Sequence, residues 1–481
     1  MTNGDGEAGM VDEFDVVVLG AGSTGENLAE RAHAGGLSVA IVEGELVGGE
    51  CSYWACMPSK ALLRPAAALA DARRLAGVRE AVDGPLDAAA VLERRDGFAA
   101  HWKDDGQVAW LESAGLVLVR GHGRLDGPKR VAVRTPEGGR RVLTARHAVA
   151  VCTGTRAALP ELPGLAEARP WTSREATASA QVPPRLAVVG GGVVACEMAT
   201  AWRALGSEVV LLVRGWRLLP RMEPFAGELV AERLRASGVD VRFGASVTAV
   251  HRDGPLTLTL EDGGTVTADE ALFATGRAPA TTDLGLETVG LTPGRPIEVD
   301  STGLAVGVPD GWLYAAGDVN GRALLTHQGK YQGRVFGAVI ADRAAGRPLD
   351  TADWGRSVAT ADERAVPQVV FTDPEAVSVG LTLQEATRDG RRVRAVDYDL
   401  GGVAGAVLYA DGYRGRARAV VDLDSETLLG VTFVGAGVAE LLHSATIAVT
   451  AEVPISRLWH AVPAYPTLGE VWLRLLETYR G

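Results

Sequence analysis

Apolar positions along this chain fall in short runs that stop at glycine. Phe14-Asp15-Val16-Val17-Val18-Leu19 leads directly into Gly20-Ala21-Gly22-Ser23-Thr24-Gly25. Glu26 to Gly35 then carries good helix formers, and Leu37 to Val42 is again apolar. That order predicts strand, tight turn, helix and parallel strand. It returns downstream, where Arg185 to Val189 runs into Gly190-Gly191-Gly192-Val193-Val194-Ala195, a helix is expected, and Glu208 to Val213 forms the next strand. Between the two units, Ala66 to Leu116 is Ala-, Arg- and Leu-rich and predicts helices. Leu116 to Val149 predicts β-hairpins turning at Gly121-His122-Gly123, Asp126-Gly127-Pro128 and Glu137-Gly138-Gly139, and Val241 to Phe273 repeats that character. From about Ser357 the pattern changes. Short strands are expected around Gln368, Arg394 and Ala417, then a helix near Ala436 to Ala451 and a closing helix near Leu468 to Tyr479.

Composition narrows the class. A chain of 481 residues is long enough for two to four domains, and 47% apolar with 22% charged residues is ordinary for a soluble globular protein. Lys plus Arg is 48 and Asp plus Glu is 60, a net charge of −12, which argues against a nucleic-acid partner. The first thirteen residues are polar and acidic, unlike a secretory signal, and no apolar run reaches the ~18 residues of a membrane helix. Four cysteines are too few for a disulfide-stapled scaffold. The expectation is a cytoplasmic, multidomain protein with no membrane partner.

The glycine turns carry the first chemistry. Between strand and helix, Gly20, Gly22 and Gly25, with Ser23 and Thr24 in the same turn, let main chain approach a pyrophosphate, and the helix N-terminus that follows offers free N–H donors. Glu43 ends the second strand, 23 residues after Gly20, where an acid binds adenosine ribose hydroxyls. A second acid, Asp318, follows the apolar run before Gly317. The second unit, built on Gly190, Gly192 and Val193, has Ala195 at the third glycine and no acid at the position equivalent to Glu43. Arg214 stands there, with Arg217 and Arg221 beyond. Guanidinium groups suit a 2′-phosphate, so NADPH is expected over NADH, with NADH possible; a solvated surface strip is the plainer alternative.

Two of the four cysteines stand five apart in Gly49-Glu50-Cys51-Ser52-Tyr53-Trp54-Ala55-Cys56-Met57-Pro58-Ser59-Lys60. A structural staple is not expected in a cytosolic chain, and a zinc site would need more Cys or His nearby. A redox-active dithiol fits better, because a helix start and a neighbouring lysine favour a thiolate. Cys152 and Cys196, alone in apolar surroundings, are expected to be inert. No metal site is predicted.

Taken together these stretches resemble the FAD-dependent pyridine nucleotide–disulfide oxidoreductases, the family of dihydrolipoamide dehydrogenase, glutathione reductase, mycothione reductase and mercuric reductase. The resemblance spans essentially the full length. Cys152-Thr153-Gly154-Thr155 and Ala274-Thr275-Gly276-Arg277 look like the family's crossover segments, Leu313 to Asp318 like its second FAD motif, and Val370 to Glu375 with Val379 to Thr382 like the opening of its dimerisation domain. The resemblance implies two Rossmann-like domains and a C-terminal α+β dimerisation domain. The boundaries expected are 1–155 and 281–356 for FAD, 156–280 for NAD(P)H and 357–481 for the interface. It implies Cys56 as the thiol beside the flavin, Cys51 as the one that meets substrate, Lys60 near the flavin and Glu197 as its acid. Gly49, Thr153, Gly154, Gly317 and Asp318 join the FAD set, and Gly276 the NADPH set. The implied activity passes electrons from NADPH through FAD and the Cys51–Cys56 disulfide to a small acceptor.

One segment departs from the family. The usual C-terminus carries His-Pro-Thr-x-Ser-Glu, donated by the partner subunit of a homodimer. Here it reads Tyr465-Pro466-Thr467-Leu468-Gly469-Glu470. A phenol of pKa about 10 is a poor base at neutral pH, so ordinary lipoamide or glutathione turnover is not expected. His460 could substitute, though a satisfied structural role is the plainer reading. Mercuric reductases share a tyrosine there but need a C-terminal cysteine pair, and no cysteine follows Cys196, so mercury is not the expected substrate; the same absence argues against the relay type of thioredoxin reductase. Two other readings remain: a quinone or dye reductase using the flavin directly, and a flavoprotein whose main duty is docking.

Overall fold

The computed structural model describes residues 11–481; most of the polar amino-terminal stretch lies outside the described residues. The described chain forms two compact units. One comprises the described part of residues 1–53 with 99–156 and 277–363; the other comprises 54–98, 157–276 and 364–481.

The first unit is built on one sheet. Its path runs Val117–Arg120, Val39–Glu43, Val11–Leu19, Arg140–Val151, Arg130–Arg134, His122–Leu125, and Leu313–Ala315 also pairs with Arg140–Val151. Val16, Val17 and Val18 are buried on both faces, as a parallel strand covered on two sides requires. The predicted hairpin turning at Gly121 does not form. Val117–Arg120 follows the helix Asp105–Ser113 and adds in parallel to Val39–Glu43, because a strand returning from a helical crossover joins a sheet in parallel. The hairpins that do form join His122–Leu125 to Arg130–Arg134 and Arg130–Arg134 to Arg140–Val151.

Two helices of this unit cross with almost no side chain between them. Gly329, Gly333 and Gly337 recur every fourth residue in Thr326–Ala344 and face Ser23–Ala34. A Cβ on Gly333 would stand 2.7 Å from Thr24 O, and one on Gly337 2.6 Å from Leu28 O. The same helix carries Gln332, fully buried, whose Oε1 accepts from Gly317 N at 2.7 Å and from Asn320 Nδ2 at 2.8 Å. Gln332 Nε2 and Gln328 Nε2 both donate to Asp362, whose pKa burial raises to about 6.

The second unit holds the repeat. Asp240–Phe243, Glu208–Val213, Arg185–Val189 and Glu270–Phe273 form a parallel sheet, and the antiparallel sheet Val247–Arg252, Leu256–Leu260 and Thr265–Ala268 comes between its strands Asp240–Phe243 and Glu270–Phe273 in chain order. A five-stranded antiparallel sheet closes the chain, with Leu428–Gly435 at its centre. The strands expected near Gln368, Arg394 and Ala417 are three of its five; Glu375–Gly380 and Leu428–Gly435 are the others, and Leu428–Gly435 is apolar almost throughout and shows no alternation. The final helix is Val471–Arg480. Among the described residues no helix is long and apolar enough to cross a membrane.

Glu26, in the first helix, was not anticipated. It is 8% exposed, its Oε1 has no hydrogen-bond partner, and burial raises its pKa to about 7 against relief from Lys330. A carboxyl whose folded pKa lies above its unfolded value favours folding at low pH, and that contribution disappears as pH rises through about 7. Glu26→Gln is therefore expected to stabilise the protein at pH 8 by ~2–3 kcal/mol, shrinking toward pH 4. Thermal unfolding across that range checks this, and a gain independent of pH would contradict it.

Candidate active site

In the first unit the strand Val11–Leu19 ends at Gly20, with φ +101°, in a turn closed by main chain on main chain. A Cβ on Gly25 would stand 1.9 Å from Gly20 O, and one on Gly49 2.8 Å from Gly22 Cα. The helix Ser23–Ala34 begins after Gly22 with no side-chain cap, which leaves its first turn to an external acceptor. Thr24 packs against Gly317 and Gly329. Glu43 ends its strand beside this turn: its Oε2 accepts from Ala21 N and its Oε1 from Glu45 N, both at 2.7 Å, and burial raises its pKa. Asp318 follows Gly317, accepts from Thr155 Oγ1 at 2.9 Å, and is also raised by burial. Thr153 Oγ1 donates to Ala280 O, and Gly154 O accepts from Ala280 N. The glycine cradle, uncapped helix start and strand-end acid fit the adenosine and pyrophosphate of FAD.

Arg277 joins this set unannounced by any spacing rule. Its Nε donates to Thr155 Oγ1 at 2.6 Å, and its Nη2 bonds Glu50 Oε2 at 2.6 Å, one residue before Cys51. The chain Asp318–Thr155–Arg277–Glu50 thus ties the second acid to the start of the cysteine segment. Its members are 268 positions apart at the extremes (318 − 50), which is why sequence reading missed it.

The second unit repeats the turn with different chemistry. Gly190 has φ +135°, and a Cβ there would meet Ala274 O at 2.4 Å. The helix Val193–Ala204 starts after an uncapped Gly192. Ala195 is fully buried, so the helix packs with one methyl where a third glycine would leave none. Past Val213, Arg214 and Arg221 are exposed, and the half-buried Arg217 donates to Pro220 O at 2.8 Å. Gly276, with φ +145°, accepts from Ala158 N.

Cys51 lies half-buried in the helix Gly49–Tyr53 of the first unit; Cys56, also half-buried, is the first residue of the helix Cys56–Arg73 in the second. Lys60 follows Cys56 by one turn on the same helix face. Lys60 Nζ is 2.8 Å from Glu197 Oε2 and 5.0 Å from the centroid of the Phe371 ring, while Phe371 N donates to Glu197 Oε1 at 3.0 Å. Cys56 thus stands at a helix start, one turn before Lys60. Cys152 and Cys196 are buried and their thiols are raised by desolvation, that of Cys152 to about 12. Among the described residues no group of three or more His, Cys, Asp or Glu could hold a metal.

The C-terminal residues are placed apart. Tyr465 is 77% exposed, whereas Glu470 is buried and accepts from Gly405 N at 3.3 Å. Glu470 therefore ties down the start of the helix Ala404–Tyr409 rather than orienting Tyr465. His460 is exposed.

Residues 14–333 match the family pattern described as pyridine nucleotide-disulphide oxidoreductase, and residues 366–475 match its dimerisation domain. The chain is 31% identical over 464 residues to mercuric reductase of Staphylococcus aureus, covering 95% of this chain and 81% of that protein. It is 30% identical over 479 residues to glutathione reductase of Burkholderia cepacia, covering 96% and 98%. Among solved structures, the HOCl-induced flavoprotein disulfide reductase RclA from Escherichia coli, as its Cu(II) complex, shares the fold with a TM-score of 0.82 at 23% identity, covering 97% and 99%.

The Lys60–Glu197 pair is lopsided, with Glu197 3% exposed and the lysine side chain 35%. Removing the lysine strands a buried carboxylate, while removing the carboxylate leaves a lysine that can reach water. Lys60→Met is expected to cost about 3 kcal/mol and Glu197→Gln about 1 kcal/mol, read by urea unfolding. Equal costs would contradict this asymmetry.

Proposed function

The chain belongs to the pyridine nucleotide-disulphide oxidoreductase family, and we propose that within it the protein reduces a small disulfide or similar acceptor through a Cys51–Cys56 dithiol, with NADPH as donor. The protein is an FAD-dependent oxidoreductase that takes its electrons from a pyridine nucleotide. The observation that carries the proposal is Cys56 opening a helix one turn before a lysine clamped by buried Glu197. When bound, FAD would supply the redox ring that carries an electron pair from the nicotinamide to the Cys51–Cys56 disulfide, generating the dithiol.

The chain's own residues do the rest. Cys51 thiolate attacks one sulfur of the acceptor disulfide, forming a mixed disulfide and releasing one thiolate. Cys56 thiolate then attacks Cys51, which releases the second acceptor thiolate and restores the Cys51–Cys56 bond. Lys60 lends positive charge to Cys56, and Glu197 holds Lys60 in place. The donor proposed is NADPH because Arg214, Arg217 and Arg221 cluster where the first unit has Glu43. Dinucleotide contacts are proposed for Gly190, Gly192, Val193 and Gly276 on that side, and for Gly20, Gly22, Ser23, Thr24, Gly25, Glu43, Gly49, Thr153, Gly154, Gly317 and Asp318 on the FAD side, with Lys60 near the ring. The domain divisions at 155, 280 and 356, and a cytoplasmic location, are part of the same proposal.

The dimerisation domain supports a homodimer, in which Tyr465 and Glu470 would complete the partner subunit's site. A second reading, a quinone or dye reductase, rests on Tyr465 standing where the family has its histidine and on Glu470 accepting from Gly405 N.

Anaerobic titration with NADPH is expected to give a thiolate-to-flavin absorbance band at the red edge, absent in Cys56→Ser; a band that survives this change contradicts the assignment. Turnover screened against lipoamide, glutathione disulfide, mycothiol disulfide, quinones and mercuric ion is expected to reveal a disulfide substrate whose reduction Cys51→Ser abolishes. Quinone turnover that persists in Cys51→Ser, with no disulfide accepted, establishes the second reading instead.

A further inference from the structure

Trp216 is 82% exposed, on the loop just past the strand Glu208–Val213 and between Arg214 and Arg217. A large indole in water forgoes stabilisation that burial would give it, so its position calls for a physical reason. The loop is not loose. Leu219 N donates to Gly191 O at 2.8 Å, tying the loop to the glycine turn of the second nucleotide unit. Gly244 N donates to Gly215 O at 3.1 Å and Ala245 N to Val213 O at 3.0 Å, tying it to the segment after the strand Asp240–Phe243. Gly244 leaves room beneath the indole: a Cβ there would stand 2.8 Å from the ring. One side of the ring thus lies on main chain at Gly244, and most of its surface stays open. The plate is held by backbone bonds on two sides, on the loop tied to the glycine turn.

From this geometry we propose that Trp216 is the stacking platform for the adenine of the dinucleotide, so that one loop reads both the base, through the indole, and the 2′-phosphate, through Arg214, Arg217 and Arg221. The inference rests on the NADPH reading and adds the residue that binds the base. Purine and indole faces stack without directional bonds, so the platform contributes affinity for any adenosine phosphate. The guanidinium groups contribute the preference for the extra phosphate. Because the loop is fixed by Gly191, Gly215 and Gly244, little freedom is lost when the base lands.

The test uses the FAD-loaded protein and two probes without nicotinamide, 2′,5′-ADP and 5′-AMP, with binding measured by calorimetry. Trp216→Ala is expected to weaken both probes about tenfold and to leave their ratio unchanged, while Trp216→Phe stays within about threefold of the parent. Trp216 is exposed, so neither change removes core packing. Parental affinity for both probes in Trp216→Ala overturns the platform, as does a loss in Trp216→Phe equal to that in Trp216→Ala. A parent protein that binds 2′,5′-ADP no tighter than 5′-AMP overturns the NADPH reading alone, and 5′-AMP still decides the role of Trp216.

Discussion

The helix Ser23–Ala34 can present its uncapped start to a phosphate because nothing wider than hydrogen separates it from the helix Thr326–Ala344 at Gly329, Gly333 and Gly337. Any side chain at the latter two would push main chain from main chain, since the nearest backbone oxygens lie within 2.7 Å of where a Cβ would stand. The same seating puts Gln332 under Gly317, and the Gln332–Asp362–Gln328 amide network then fixes the turn that carries Asp318. Buried amides of this kind are satisfied only in one register, so close packing and polar satisfaction enforce each other. Everything on the first unit's ligand side, from Thr24 to Asp318, takes its position from this contact.

The two nucleotide units use one backbone design with opposite electrostatics. At the end of the second strand the first unit has Glu43, a desolvated carboxylate with raised pKa that accepts from Ala21 and Glu45. The second has Arg214, exposed and followed by two further arginines. A carboxylate there can accept from ribose hydroxyls but repels a further phosphate; a guanidinium does the reverse.

Local chemistry explains which parts of this were readable in advance. The strand Glu208–Val213 was legible to the residue because Gly206 and Gly215 bracket an apolar run, and the glycine turns were legible because few other residues tolerate their backbone. Both turns are local in sequence. The parallel placement of Val117–Arg120 was not legible, since a glycine after a short strand signals a hairpin equally well. Nor was the Arg277–Glu50 pair, or Glu470 bonding Gly405: each depends on a long-range contact that side-chain type alone does not specify. Glu26 shows the limit from the other side. An acid in a first helical turn reads as a favourable dipole contact, and only packing reveals that it is buried with an oxygen unsatisfied.

The three-piece make-up of the first unit has a bearing on how the protein is made. Its central strand Val11–Leu19 emerges early from the ribosome, but one neighbour, Arg140–Val151, comes more than a hundred residues later, and Leu313–Ala315, which pairs with Arg140–Val151, later still. The strands of residues 185–273 find their sheet partners within that stretch. During synthesis, therefore, the repeat can assemble while the Val149–Val151 end of Arg140–Val151 still waits for Leu313–Ala315, an apolar edge open to wrong partners in that period. The order of manufacture is thus the reverse of the order of the text: the unit that begins the polypeptide is completed after the nucleotide core of the one inserted into it.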